Sequence, residues 1–589
     1  MRRPNHFTEL VLRHAAELPD KDAYFFLPGS TPGAVAQRLT YAALDAEAKR
    51  IASWLQEHGA VAGQVLLLYP SGLDFVAAFV GCLYAGSVAV PAPLPGDQNN
   101  QATRLTGILR DAEVRAVLTD SANEPAVSAW LRESGVTGVA VLASDDPARG
   151  DARAWSRPQL TADSLAFLQY TSGSTSEPKG VMVSHGNLMA NQLAIQHVLG
   201  TDQDSRMGCW LPAYHDMGLI GHILHSLYVG GSTALMSPVS FLMRPVRWLQ
   251  MISEYGVAVS GSPNFGYDLC LRRVTDEQLA TLDLSKWRHA SNGAEPIRAE
   301  TVRAFAERFA PAGFRPESVS PCYGMAETTL LISGVRADQN PVFRTVDAAA
   351  LEQGRLREAP RGGGTRDLVG SGVVDPADFS VKIVDPDERS ERPEGGVGEI
   401  WVKGASVSSG YWKRPDTNAE IFDAAIVSAA GTDPGWLRTG DLGVMDAGQL
   451  YVTGRLKEMI LINGRNIYPH DVEREVQSLH PAFRGGAGAA FSVDDGEEHL
   501  VLVQEFRRGA AQDPAELCAE VRARVRREFQ ASCSVLLVRP ATVRKTTSGK
   551  IQRTLMRSLL LEDRLGAVHQ DLDRQVANLV AGPLVTSAG

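Results

Sequence analysis

The segment Tyr170-Thr171-Ser172-Gly173-Ser174-Thr175-Ser176-Glu177-Pro178-Lys179-Gly180 gathers small and hydroxylated residues ahead of a lysine. Small residues let backbone N–H groups approach phosphate oxygens, the Ser and Thr hydroxyls add donors, and Lys179 adds charge. The string is not a Walker A loop, because it lacks the Gly-Lys-Ser/Thr ending. By composition alone it equally fits a flexible surface loop. A second lysine beside glycine, Lys550, lies in Val543-Arg544-Lys545-Thr546-Thr547-Ser548-Gly549-Lys550-Ile551-Gln552-Arg553. Taken alone, such a lysine is ordinarily a solvated surface residue. Two carboxylates stand in distinctive contexts: Glu327 in Cys322-Tyr323-Gly324-Met325-Ala326-Glu327-Thr328-Thr329, and Asp441 in Trp436-Leu437-Arg438-Thr439-Gly440-Asp441. Glu327 could bind a divalent cation through oxygen or simply cap a helix. Asp441 could accept from two neighbouring hydroxyls or occupy a Gly-Asp surface turn.

These residues need a large scaffold. A chain of 589 residues exceeds one ordinary core, so two or more domains are expected. Apolar residues at 44% and charged residues at 21% describe a soluble folded protein. A net charge of −10 argues against a global grip on nucleic acid, though not against a local anion site. The six cysteines are scattered without a CxxC pair, which excludes a disulfide framework or zinc site and suits a reducing cytosol. No apolar signal region follows Met1, and a cytoplasmic protein is expected. Two uncharged stretches, 75–96 and 217–243, are broken by prolines, glycines and histidines, so they read as buried core without stable membrane insertion.

The elements around the chemistry alternate. Short apolar runs at 64–70, 116–119, 138–142 and 164–170 read as buried strands between helical segments, hence α/β layers with parallel sheets. From Val369 the texture changes to alternating strands, such as 379–384 and 399–402. The reading is an N-terminal domain over 1–454 with a β-rich subdomain at about 369–454, a hinge at 455–457, and a small C-terminal domain over 458–589. That last part has strands at 500–505 and 534–538 and a helix at 515–529; the tail after about Leu565 is expected to be loosely held.

Together the ordered motifs resemble the adenylate-forming superfamily of acyl-CoA synthetases, luciferases and peptide-synthetase adenylation domains, from about Leu39 to Arg557. The resemblance implies that superfamily's fold: a large α/β domain with a β-rich subdomain, and a small mobile α+β domain. It implies ATP and Mg²⁺ as the required cofactors. Thr171, Ser172, Gly173, Ser174, Thr175 and Lys179 would then hold phosphates. Asn292, Gly293 and Ala294 resemble the adenine-side loop, and Tyr323, Gly324 and Met325 the motif in which an aromatic lines adenine. Glu327 would hold Mg²⁺, Asp441 the ribose hydroxyls with Arg455 nearby, and Lys457 would belong to the hinge. Lys550 resembles the catalytic lysine, a cation bridging the attacking carboxylate and the α-phosphate as charge redistributes. The residue before Glu327 is Ala326 where the superfamily often has Thr, which makes Thr328 the candidate for a phosphate contact.

Leu211-Pro212-Ala213-Tyr214-His215-Asp216-Met217-Gly218 resembles the superfamily's acyl-pocket motif. His215, Asp216, Met217 and Gly218, with Pro263, Asn264 and Phe265, are its expected lining; His215 could gate the pocket or cap a turn. Apolar walls suit a fatty chain, since burying alkyl area is favourable and burying an unpaired ammonium is costly. Between Glu327 and Val381 lie 53 residues, long for a connection without function. This extra piece, about 335–365, together with Leu368-Val369-Gly370-Ser371-Gly372 and 463–473, is similar to the fatty acyl-AMP ligases. In that group the insertion limits C-terminal domain movement, and the acyl group goes to a phosphopantetheinylated acyl carrier protein of polyketide, nonribosomal-peptide or lipid pathways. An acyl-CoA synthetase using free CoA is the alternative. A nucleotide-binding interaction protein without catalysis is the third, opposed by Lys550, Glu327 and Asp441. Between Arg507 and Arg557 twelve Lys or Arg face four Asp or Glu, either a solvated face or a patch complementary to an acidic carrier protein.

Overall fold

The computed structural model describes residues 4–27, 29, 36–95, 99–170, 178–337, 339–359, 364–462, 465–494, 496–507, 513–546 and 549–581. Two largely parallel sheets dominate the first part. One has six strands in the order Ala140–Ala143, Ala116–Thr119, Gln64–Leu68, Val88–Ala92, Leu165–Tyr170, Gly180–Ser184, with only the last pair antiparallel. The other has eight, running from Leu331–Gly334 through Val319–Gly324, His289–Asn292, Val259–Ser262, Arg206–Cys209, Ser232–Leu235 and Asp22–Phe26 to Gln37–Thr40. Its two end pairs are antiparallel.

The strands explain their own burial. In Gln64–Leu68, Val65 and Leu67 face the core shared with the second sheet, while Leu66 and Leu68 face helices Asn99–Asp111 and Glu124–Glu133. A strand covered on both faces reads as a continuous apolar run rather than an alternating one. Helix Leu73–Ala85 is apolar all round, is buried from Phe75 to Ala85 within the main core, and stops at left-handed Gly86. Residues 217–243 form short helical turns, a strand and the helix Pro238–Met243. Among the described residues no helix is long and apolar enough to cross a membrane.

Past residue 369 the chain builds an antiparallel sheet from Phe379–Val384, Gly398–Gly404, Gly431–Asp446, Ala424–Ser428 and Gln449–Arg455. A four-stranded sheet follows: Gly488–Asp494, Glu498–Glu505, Cys533–Val538 and His569–Asp571. Helices Pro469–Leu479 and Pro514–Phe529 cover one face and Arg553–Leu561 the other. The expectation of a loose tail after Leu565 does not hold for the described residues. His569–Asp571 pairs with Cys533–Val538, and helix Arg574–Ala581 buries Val576 completely. Its apolar positions were too few to register as a pattern, and a neighbouring sheet edge supplied the rest.

The extra piece is an antiparallel hairpin of Phe343–Asp347 and Thr365–Val369, with the short helix Ala348–Glu352 between them. Val346, Leu351 and Leu368 pack with Leu442, Val444 and Tyr451 of the β-rich sheet and with Tyr468 beyond it. Polar contacts reinforce this seam. Arg366 pairs with Asp471 at 2.9 Å, donates to His470 Nε2 at 2.7 Å and lies 4.7 Å over the Tyr468 ring. Arg465 donates to Glu352 at 2.7 Å. Three of these four contacts fall on Arg366, just beyond the expected end of the insertion.

Candidate active site

The ends of several strands and the loop before helix Arg553–Leu561 meet in one place. Glu327 sits in a tight turn between strands Val319–Gly324 and Leu331–Gly334. That reversal is over-determined. Asn191, fully buried on helix His185–Leu199, donates to the carbonyls of Thr328 and Leu331 at 3.2 and 2.9 Å and accepts from Leu331 N–H at 3.1 Å. Thr329 is held at φ 69°, ψ −60°, with Leu330 N–H donating to Thr328 O at 2.9 Å, a strained γ-turn. Such a β-branched residue costs on the order of 1–3 kcal/mol and persists only where its surroundings fix it. Gly324 is needed here, because a Cβ would stand 1.8 Å from Leu330 O. Glu327 itself is buried, which pushes its carboxyl above the ordinary range; a 2.7 Å bond from Tyr411 Oη to Oε1 opposes that shift.

Asp441 lies where strand Gly431–Asp446 pairs with Gln449–Arg455. Tyr323 Oη donates to its Oδ2 at 2.9 Å, and Arg455 Nε stands 3.2 Å from Oδ1. The turn before it is set by Glu399, 2% exposed. Glu399 accepts from Gly440 N–H at 3.0 Å, Trp401 Nε1 at 2.9 Å and Arg438 Nε at 3.0 Å. Tyr323 therefore ties the strand of Glu327 to Asp441, while its ring packs with Ile332, Phe379 and Ile400 against the β-rich sheet. Asn292 is buried, and Ala294 takes a left-handed φ of 64°. Met325 packs with Tyr323 under the β-rich sheet.

Lys550 arrives from the small domain. Its loop closes on itself, with Thr546 N–H donating to Lys550 O at 2.8 Å and Lys550 N–H to Thr546 Oγ1 at 3.1 Å. Gly549, at φ 87°, lets the loop press on Phe265; a Cβ there would meet the ring at 2.8 Å. The ammonium is within electrostatic reach of Arg455, Asp216, Asp441 and Glu295. Burial and Arg455 pull it below the ordinary lysine range against the opposing pull of the three carboxylates. Glu295 accepts from Phe265 N–H at 2.6 Å, and burial raises its carboxyl. Asp216 stands 2.8 Å from His215 Nδ1 and accepts from Met217 N–H at 2.7 Å. Burial would raise its carboxyl, but His215 and Lys550 outweigh it and hold it low.

Several expectations change in three dimensions. Thr171, Ser172, Gly173, Ser174 and Thr175 lie outside the described residues; Lys179 is described, with its ammonium 5.2 Å over the Tyr411 ring. Thr328 is fully buried and its hydroxyl turns inward to Met325 O at 3.0 Å, so this structure does not offer it to a phosphate. Asn264 does not present its amide to a pocket. It bonds Thr301 at 3.3 Å, Asn292 at 3.4 Å and Arg298 N–H at 3.1 Å, bracing the Asn292 loop. Asp216 and Phe265, grouped by sequence with the acyl lining, stand beside the Lys550 loop. Met217 and Gly218 are buried, with Gly218 against Pro212 O, and Pro263 precedes helix Asn264–Arg273. Lys457 is exposed on the turn Leu456–Glu458. Of the basic residues after Arg507, Arg522, Arg524, Arg527 and Arg553 are paired with carboxylates. Sequence reasoning missed Glu295, Glu399 and Tyr411. The pairs Gly398-Glu399 and Gly410-Tyr411, each glycine-led within the β-rich part, were the available signal.

Fold and site together define an adenylate-forming enzyme, and the chain belongs to the AMP-binding enzyme family, whose profile matches residues 11–412. It is 42% identical over 547 residues to a medium-chain-fatty-acid–acyl-carrier-protein ligase of Moorena producens, covering 90% of each chain. It is 37% identical to a long-chain-fatty-acid–AMP ligase of Mycobacterium marinum, over 92% of this chain and 95% of the other. Among solved structures, a fatty acyl-adenylate ligase from work on the E. coli and L. pneumophila proteins superposes with a TM-score of 0.85 at 33% identity, covering 94% of this chain and 98% of that one.

Proposed function

We propose that this protein joins a fatty acid to ATP, forming fatty acyl-AMP and pyrophosphate, and passes the acyl group to the phosphopantetheine thiol of an acyl carrier protein. The observation that carries this reading is the Lys550 loop pressed on Phe265, which brings the lysine within electrostatic reach of Asp216, Glu295, Asp441 and Arg455. The carboxylate oxygen attacks the α-phosphorus and the bond to pyrophosphate breaks. Lys550 stabilises the negative charge that moves between the two. Asp441, fixed by Tyr323 and the Glu399-held turn, accepts from the ribose hydroxyls, and Arg455 adds a donor. The loop Thr171–Thr175 and Lys179 take the phosphates, and Asn292-Gly293-Ala294 flank adenine. Glu327 suits Mg²⁺, because a buried, phenol-anchored carboxylate is the hard oxygen donor that this ion takes alongside phosphates and water. When bound, the ion supplies charge neutralisation at the phosphates.

For the second half, the thiolate attacks the acyl carbonyl, a thioester forms and AMP leaves. The hairpin pairings of Arg366 and Glu352 with the small domain favour the pose in which Lys550 is docked. The names of the relatives support the same acceptor. The test is purified protein with ATP, Mg²⁺ and a fatty-acid panel, measuring acyl-AMP, then acyl transfer to holo carrier protein or to free CoA. Acyl-CoA made as fast as acyl-AMP would establish the synthetase alternative instead.

A further inference from the structure

Tyr411 lies between strand Gly398–Gly404 and helix Pro415–Ile421. It is 7% exposed, yet both its ends address charge. The hydroxyl donates to Glu327 Oε1 at 2.7 Å, and the ring centroid lies 5.2 Å from the Lys179 ammonium. Its backbone is clamped by one side chain: Asn418 Oδ1 accepts from Tyr411 N–H at 2.7 Å, and Asn418 Nδ2 donates to Tyr411 O at 2.9 Å. Its neighbours are stitched to the strand that follows the phosphate-loop string. Met182 N–H donates to Gly410 O at 2.9 Å, and Trp412 N–H donates to Gly180 O at 2.8 Å. Phe422 packs edge-on against the ring at 5.1 Å.

We propose that Tyr411 is a positioning residue for the phosphate and metal end of the site, its hydroxyl fixing one oxygen of Glu327 so that the other meets the cation, and its ring holding Lys179 toward the phosphates. The proposal rests on the reading of Glu327 as the Mg²⁺ ligand. A tyrosine is suited to this dual role: it offers a donor at its tip and an electron-rich face to an ammonium. Burial raises the phenol well above its ordinary range, so it stays protonated and remains a donor.

The experiment titrates Mn²⁺, read by its electron paramagnetic resonance signal, against the full-length protein loaded with ATP and lacking fatty acid. Tyr411→Phe keeps the ring and removes the hydroxyl; it should weaken Mn²⁺ about tenfold, as loss of a bond to a charged group does. Tyr411→Leu should in addition weaken metal-free ATP binding, because Lys179 loses its platform. If Glu327→Gln loses Mn²⁺ while Tyr411→Phe binds it as the wild type does, the role of Tyr411 is overturned and the reading of Glu327 stands. If Glu327→Gln binds Mn²⁺ normally, that reading falls and the proposal with it. Should circular dichroism show Tyr411→Phe unfolded, Asn418→Ala releases the Tyr411 backbone without touching the phenol. It should weaken Mn²⁺ in the same direction, and unchanged affinity there also overturns the proposal.

Discussion

Arg366→Ala removes the side chain that joins the inserted hairpin to the small domain. Arg366 is 8% exposed at its side chain, and its partner Asp471 10%. Truncation deletes the 2.9 Å pair with Asp471, the 2.7 Å donation to His470, a 3.2 Å donation to Thr453 O and the stacking on Tyr468. Breaking a buried pair from one side costs about 3–5 kcal/mol when the other charge is stranded. Asp471 keeps Arg474 at 3.2 Å, so the lower end of that range applies here. About 3 kcal/mol is roughly a hundredfold shift between docked and released small domain, at 1.4 kcal/mol per tenfold. Acyl-AMP synthesis should therefore slow, because Lys550 is docked less of the time, while CoA-dependent AMP release should rise. Proteolysis near residues 455–458 should quicken as well. Stopped-time assays of acyl-AMP, acyl-CoA and cleavage read all three. A variant that unfolds no earlier, is cut no faster and keeps the wild-type product ratio would refute the idea that this seam restrains the domain.

The remaining predictions concern the site and the fold. Lys550→Ala should slow pyrophosphate release on the order of 10²–10³-fold with ATP binding retained, the usual loss for one preorganised charge contact; an unchanged rate would remove Lys550 from the chemistry. Because burial lowers the ammonium, the alkaline limb of wild-type adenylation should fall below the ordinary lysine range, and Lys550→Arg should move it upward. Gly549→Ala should also impair adenylation, since φ 87° and Phe265 carbons at 2.8 Å leave no room for a methyl; full activity there would show that the loop docks differently. His185, His225 and His470 are pushed down to about 3 by burial. Below about pH 6.5 the unfolded chain therefore binds more protons than the folded one, and stability falls with pH at up to about 1.4 kcal/mol per unit for each. Burial raises the Glu295 and Glu327 carboxyls, which act in the opposite sense at lower pH. Urea midpoints at pH 7 and pH 5 test this, and equal midpoints would count against neutral buried histidines.

The sequence by itself determined the elements and the chemical vocabulary of this protein. Strands covered on both faces must be unbroken apolar runs, so 64–68, 116–119 and 165–170 were legible from composition. The motif carboxylates and Lys550 were legible through the resemblance of their strings to those of the adenylate-forming superfamily. Tertiary structure alone decided which of them face one another. Nothing local says that Asp216 and Glu295 come within electrostatic reach of Lys550, that Tyr323 anchors Asp441, or that Thr328 turns its hydroxyl inward. Nor does local pattern mark Arg366 as the contact that grips the small domain, or show which basic residues after Arg507 pair with carboxylates. Secondary structure follows from periodicity over a few neighbouring residues, whereas a site is set by distances between residues hundreds of positions apart. Those distances are fixed only when the sheets, the hairpin and the small domain have packed.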